Sequence, residues 1–272
     1  MWRADYRAHM ALFAGNIMRP RCSHSLGRRR PAPVTVKALF LMAVAAIMLT
    51  GGILVSPIGT VLAREAAAVR GLAIPFGPSL SASGWQAVSF PGRPAATFTA
   101  KGKDGVRIET AGGAGLLWRA MPASAAGATT AMWRWRKALG VGPTDLTRKG
   151  GDDRILALYF AFADPGDASG QTDLKALLRS GRADILTYVW GGSAQPGTIQ
   201  TIPYFKGRGR AVLKRQADAP AEKWFAEDAA LAVDFQRAFR KQPGRLVAIA
   251  LSSDADDTDG HNIAALADLL VK

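Results

Sequence analysis

The sequence predicts a mainly β chain, a single jelly-roll-like antiparallel β-sandwich with one or two inserted helices, preceded by an N-terminal signal or membrane-anchor helix. Three observations point there. Apolar residues recur with a period of two: at 130–137, Trp133 and Trp135 share one face while Arg134 and Arg136 share the other. Gly, Pro and Asp punctuate such segments at the short intervals of an antiparallel sandwich. Only one long stretch, 221–241, carries a clear three-and-four spacing.

From the N-terminus, 1–33 is a basic extension and 34–63 has the parts of a secretory signal. Positions 38–55 are uncharged, Arg28, Arg29, Arg30 and Lys37 precede them, and Val61-Leu62-Ala63 is a small-residue cleavage pattern. The same apolar run is long enough to span a bilayer as an uncleaved anchor, whereas Pro57 and Gly59 favour cleavage by breaking the helix ahead of the site. In both cases the remainder is expected in the periplasm or on the outer face of the inner membrane, or secreted if the signal is cut. The Ala-, Gly- and Pro-rich stretch 64–84 reads as a linker, and 85–272 as the sandwich domain.

Within that domain the expected strands are 95–100, 106–110, 115–121, 130–137, 154–162, 184–190, 210–215, 246–252 and 263–271. At 154–162, Leu156, Leu158, Phe160 and Phe162 line one face and Ile155, Ala157, Tyr159 and Ala161 the other, as in a strand buried on both sides. The expected helix at 221–241 aligns Phe225, Ala229, Ala232, Phe235 and Phe239, with acidic residues early, basic residues late, and Pro243-Gly244 as the stop. A shorter helix is expected at 172–180.

Charge and composition narrow the function classes. The formal net charge is +14, but the leader holds eight of the 35 Lys and Arg and one of the 21 Asp and Glu. The exported part therefore carries about half of the net charge, and nucleic acid is not the expected partner outside the membrane. Cys22 is the only cysteine and falls in the leader, as do His9 and His24, which leaves His261 alone. Zinc sites of the Cys/His type and Cys-His dyads are thereby excluded from the exported part.

Several punctuating motifs then recur in a recognisable order: Trp133-Arg134-Trp135, Lys149-Gly150-Gly151-Asp152-Asp153, Tyr188-Val189-Trp190, Pro203-Tyr204, Glu227-Asp228, Asp234-Phe235, Asp254-Ala-Asp256-Asp257-Thr258 and Asp268. This ordered set resembles the bacterial domain-of-unknown-function family numbered 3047, from about Trp85 to the C-terminus. The resemblance implies an exported or envelope-associated sandwich akin to carbohydrate-binding modules, and no assigned activity. The family carries Asn near Asp257 and a bulky aromatic-Gly pair before the last Asp, where this chain has Leu266-Ala267-Asp268.

The acidic run from Asp254 to Asp259 is the first candidate site. It is not an EF-hand, since the fifth, sixth and twelfth positions counted from Asp254 are Thr258, Asp259 and Ala265. Asp254, Asp256 and Asp257 remain candidate ligands for a looser Ca2+ site, the only cofactor the sequence suggests, beside the plainer reading of a solvated loop. Asp152 and Asp153 follow a double glycine. With Asp254 and Asp256 they are candidate catalytic carboxylates of a polysaccharide hydrolase or lyase, beside a structural reading in which they hold a glycine turn. Trp133, Trp135 and Trp190, with Arg134, are candidate ligand contacts, the indoles stacking on a sugar ring, although a sandwich core uses the same residues. Arg136, Lys206, Arg208 and Arg210 extend a candidate basic patch, and His261 is a candidate base.

The expected function is that of an exported, non-enzymatic envelope protein binding a glycan or another envelope component, tied to the membrane through its N-terminal segment. The alternatives are the carboxylate-based polysaccharide enzyme and a structural or assembly partner in the envelope.

Overall fold

The computed structural model describes residues 71–102, 105–164, 181–205 and 207–272. The extension at 1–33, the signal or anchor at 34–63 and the helix expected at 172–180 lie outside these residues. Among the described residues no helix is long and apolar enough to cross a membrane.

Among the described residues thirteen strands form two sheets: β1 (Leu72–Ala73), β2 (Gln86–Ser89), β3 (Thr97–Ala100), β4 (Gly105–Ala111), β5 (Ala114–Ala120), β6 (Ala131–Leu139), β7 (Arg154–Ala163), β8 (Ala183–Trp190), β9 (Ile199–Thr201), β10 (Gly209–Arg215), β11 (Phe225–Ala229), β12 (Arg245–Asp254) and β13 (His261–Val271). The first sheet runs β11-β6-β13-β4-β3, with β1 added to β13, and the second runs β2-β5-β12-β7-β8-β10-β9. All strand pairs are antiparallel except β8 with β10. Nine strands therefore stand where the period-two pattern puts them.

The interior follows from alternation. Trp133 and Trp135 of β6 point between the sheets and meet Leu156, Leu158, Phe160 and Phe162 of β7 and Tyr188 and Trp190 of β8. Trp133 packs edge-on to Trp135 at 5.4 Å between ring centroids, and Trp135 lies 5.6 Å from Trp190. All three indoles are fully buried. Each contributes about 2–3 kcal/mol through burial, and none has a face open to a sugar ring. The expectation that they form a ligand platform is corrected here: an apolar face of a central strand is worth most to the fold inside the core.

Two further expectations change. The segment 221–241 is not one helix, but strand β11 followed by a helix α1 (Leu231–Phe239). The spacing of four between Phe225 and Ala229 suits a helical face, yet it is even and so suits one face of a strand equally well. Backbone pairing with β6 decides in favour of the strand, with Phe225 opposite Trp135. Arg240 then closes α1 with φ at 61°, its N–H donating to the Gln236 carbonyl.

The linker expected at 64–84 belongs to the sandwich from Gly71 onward. Strand β1 pairs with β13, Ile74 and Phe76 are buried, and Phe76 stacks on Trp85 at 4.9 Å. A few apolar anchors in an Ala- and Pro-rich segment are enough to bind it down.

Candidate functional site

The two acidic stretches meet because of strand register. Arg154 opens β7, Asp254 closes β12, and the two are cross-strand partners. Asp152 and Asp153, just before β7, are thereby set against Asp254 at the end of β12 and Asp256 and Asp257 just after it. A register irregularity between Ser252 and Asp254 lets Ser253 turn inward while Asp254 reaches Arg154. Gly150 has φ at 72°, a left-handed conformation that brings the chain round ahead of the two aspartates.

Asp153 is fully buried. Its carboxylate accepts from the backbone N–H groups of Asp257 at 3.2 Å and Thr258 at 2.8 Å, and from the Thr258 hydroxyl at 2.6 Å. It therefore holds the acidic loop in place, with three donors filling most of its lone-pair sites. Asp152 accepts from Arg154 Nη1 at 3.1 Å and from the Tyr204 hydroxyl at 3.1 Å. Arg154 also donates to the Tyr159 hydroxyl at 3.0 Å and lies 3.4 Å from Asp254. Burial disfavours the Arg154 charge, but Tyr159, Asp254 and Asp152 outweigh it and hold the group above its ordinary value.

One oxygen from each of Asp153, Asp254 and Asp256 lies within 4.8 Å of the others. Asp256 is ion-paired with Arg93. Asp254 keeps a buried Oδ1 with no hydrogen-bond partner. Burial raises the Asp254 carboxyl to about 6, against the pull of Arg154, and Asp153, Asp152 and Asp257 add to the rise. Burial also raises Asp257, again with Asp153 and Asp152 contributing. Tyr204 is pushed up to about 12 by burial and by Asp152. Five carboxylates thus share two guanidinium groups, an arrangement that a hard cation relieves.

The convergence bears on both chemical readings. The trio that comes together is Asp153, Asp254 and Asp256, so Asp153 stands where the sequence pointed to Asp257, whose backbone rather than its side chain meets the trio. Glycosidase carboxyls stand about 5–5.5 Å apart, or about 6.5–9.5 Å with a water between them. Here the oxygens crowd within 4.8 Å, Asp153 has three of its acceptor sites taken by loop donors, and Arg93 is paired with Asp256. Clefts of about 490 and 430 Å³ open elsewhere, beside Trp85, Ala96 and Phe98 and beside Thr201, Arg210 and Arg237, and neither is lined by these aspartates.

The remaining sequence candidates scatter. His261 turns to Glu109, 3.1 Å away, and takes no part in the acidic group. Arg134 and Arg136 lie on the outer face of the first sheet. Arg208 belongs to the second sheet's margin, where it pairs with Asp184 at 3.3 Å, and Arg210 donates to the carbonyls of Gly207 and Gly209. No single basic patch joins them, and Lys206 lies outside the described residues.

Several residues essential to this end of the sandwich carry no sequence flag. Asn262, fully buried, donates to the carbonyls of Arg154 at 3.1 Å and Asp254 at 2.9 Å and to the Ser253 hydroxyl at 3.1 Å, and accepts from the N–H of Val141 at 2.8 Å. Tyr159 and Ser252 exchange a hydrogen bond of 2.8 Å. A polar residue on the inward face of an apolar strand, as Asn262 is between Ile263 and the loop, is the signal that marks such a hub.

A family model described as "Protein of unknown function (DUF3047)" matches residues 83–270. Comparison with curated proteins gives no match. Among solved structures, similarity is found to a loop-swap mutant of Xyn11A from Necallimastix patriciarum, with 11% identity over 70% of this chain and 95% of that one and a TM-score of 0.36. The xyloglucanase domain of NopAA from Sinorhizobium fredii matches at 7% identity over 69% and 92%, with a TM-score of 0.39. A family 11 carbohydrate-binding module from Clostridium thermocellum matches at 9% over 69% and 88%, with a TM-score of 0.33. The sandwich assignment rests on the chain's own two sheets.

Proposed function

The chain belongs to that family of unknown function, and we propose that it is a non-enzymatic envelope protein whose sandwich binds a glycan or another envelope component and whose acidic end holds a divalent cation of the calcium class. The observation that carries this reading is the crowding of Asp153, Asp254 and Asp256, with three oxygens within 4.8 Å of one another. Such a group suits a small, hard ion and leaves no space for a sugar ring between an acid and a base. Asp153, Asp254 and Asp256 would each supply one ligand oxygen, and the ion would tie the start of β7 to the loop after β12. The export reading rests on the signal-like segment at 34–63, and membrane attachment on the same segment if it is retained.

The test pairs two assays on the full chain. A glycan array is expected to give specific retention, while reducing-end release from the same polysaccharides stays at the level of buffer alone. Turnover that disappears in Asp254→Asn and Asp152→Asn would transfer the acidic end to the enzyme reading.

A further inference from the structure

The three tryptophans in the core leave open where a glycan would be held. Building on the proposal above that the ligand is a glycan, we infer that a neutral sugar binds on the outer face of the first sheet, at Trp224. This residue lies just ahead of β11 and is 38% exposed, while Met132 on the same sheet face is 40% exposed. The Arg134 guanidinium lies 5.2 Å from the Trp224 ring centre and that of Arg136 5.9 Å. Each arginine has its own carboxylate: Asp268 pairs with Arg134, and Glu222 pairs with Arg136 at 3.1 Å.

Both carboxylates sit on backbone that side chains rarely adopt, with φ at 58° for Glu222 and 56° for Asp268. Asp268 stands in the register break of β13 between Ala267 and Leu270, and the N–H of Glu222 is held by the Lys137 carbonyl at 2.7 Å. Strain of this kind persists where the surroundings fix it, and it gathers at binding sites. Here both strained residues aim a carboxylate at the arginines that lie over the Trp224 ring, whose remaining surface is exposed.

The neighbouring positions are small. Ala226 and Ala267 stand opposite Arg134 on either side, and Ala265 stands opposite Arg136. The charged pairs and the indole therefore rise above an open shelf. The apolar C–H face of a pyranose suits the indole. Its hydroxyl groups, which donate and accept, suit two fixed guanidinium–carboxylate pairs. Each arginine is matched by a carboxylate, and the exposed Asp228 stands opposite Met132 on the same face, so the surface offers no unpaired guanidinium to an acidic polymer, and this selects a neutral glycan.

Affinity electrophoresis of the full chain, run in gels containing mixed-linkage β-glucan, galactomannan or polygalacturonate, tests this. The expected result is retardation in a neutral gel, at least tenfold weaker affinity for Trp224→Ala at unchanged melting temperature, and partial retention for Trp224→Phe. Asp268→Asn, which keeps a residue tolerant of the left-handed backbone, is expected to weaken binding several-fold. Neutral-gel retardation that survives Trp224→Ala overturns the site and leaves the glycan reading standing. Absence of retardation in every gel overturns both. Retardation by polygalacturonate alone, untouched by these substitutions, reflects net charge and overturns the site.

Discussion

Replacing Asp254 by Asn probes the electrostatics of the acidic end through stability. The Asp254 carboxyl stands at about 6 against an ordinary 3.8. Its ionised form is therefore disfavoured in the folded chain by about 3 kcal/mol. Above pH 6 the folded and unfolded chains both carry the charge, and the folded state bears the whole penalty. Below about pH 3.8 both are protonated and the penalty is gone, so this residue lowers stability as pH rises between the two values. The Asn variant lacks the penalty, and its amide can donate from the position where the Asp254 Oδ1 has no partner. In chelator at pH 7 the variant is expected to be more stable by up to about 3 kcal/mol, a rise of up to about 6–12 °C in melting temperature for a domain of this size. The advantage should vanish near pH 4. Thermal melts of both proteins at half-unit pH steps give the difference, in which carboxylates remote from Asp254 cancel. A variant less stable than wild type at pH 7, or a difference that does not change between pH 4 and 7, would refute the reasoning.

Other outcomes follow from named contacts. Asn262→Asp sets an oxygen against the carbonyls of Arg154 and Asp254 and should cost at least about 3 kcal/mol by urea titration; an unchanged midpoint would contradict the hub. Asp153→Ala strands three donors of the 257–258 loop and should cost about 3–5 kcal/mol, with faster amide exchange at Asp257 and Thr258 as its local readout. Trp135→Phe removes the donor 2.9 Å from the part-buried Glu227 carboxylate and should cost about 1–3 kcal/mol, whereas Trp224→Phe on the outer face should stay within about 0.5 kcal/mol. Equal effects of those two substitutions would mean the two faces of the first sheet are misassigned.

How much of this was legible in the sequence depended on whether a signal was local. Alternation put Trp133 and Trp135 on one side of β6 and Arg134 and Arg136 on the other, and the structure keeps that division. It could not say which large aromatics remain for a ligand, because burial of both faces is decided by the partner sheet. Trp224, outside any apolar pattern, is exposed, as are Phe90 and Tyr204. The helix at 221–241 failed on parity, since Phe225 and Ala229 fit either period, and pairing with β6 is a long-range fact. The two acidic stretches stood out, but their meeting depends on the pairing of Arg154 with Asp254 across about a hundred residues. Asn262 was silent for the same reason, and Tyr204, though part of the Pro203-Tyr204 motif, gave no sign of its contact with Asp152: their partners come from distant turns.

If the acidic end holds a cation, calcium must raise the melting temperature of the full chain. An ion bound only by the folded state, at a hundred times its dissociation constant, adds about 2.7 kcal/mol, or roughly 5–10 °C here. The prediction is a rise of that order at millimolar CaCl2, reversed by chelator and absent in Asp254→Asn. No rise in the wild type at 10-millimolar order calcium (~10 mM), or an equal rise in the variant, would contradict it.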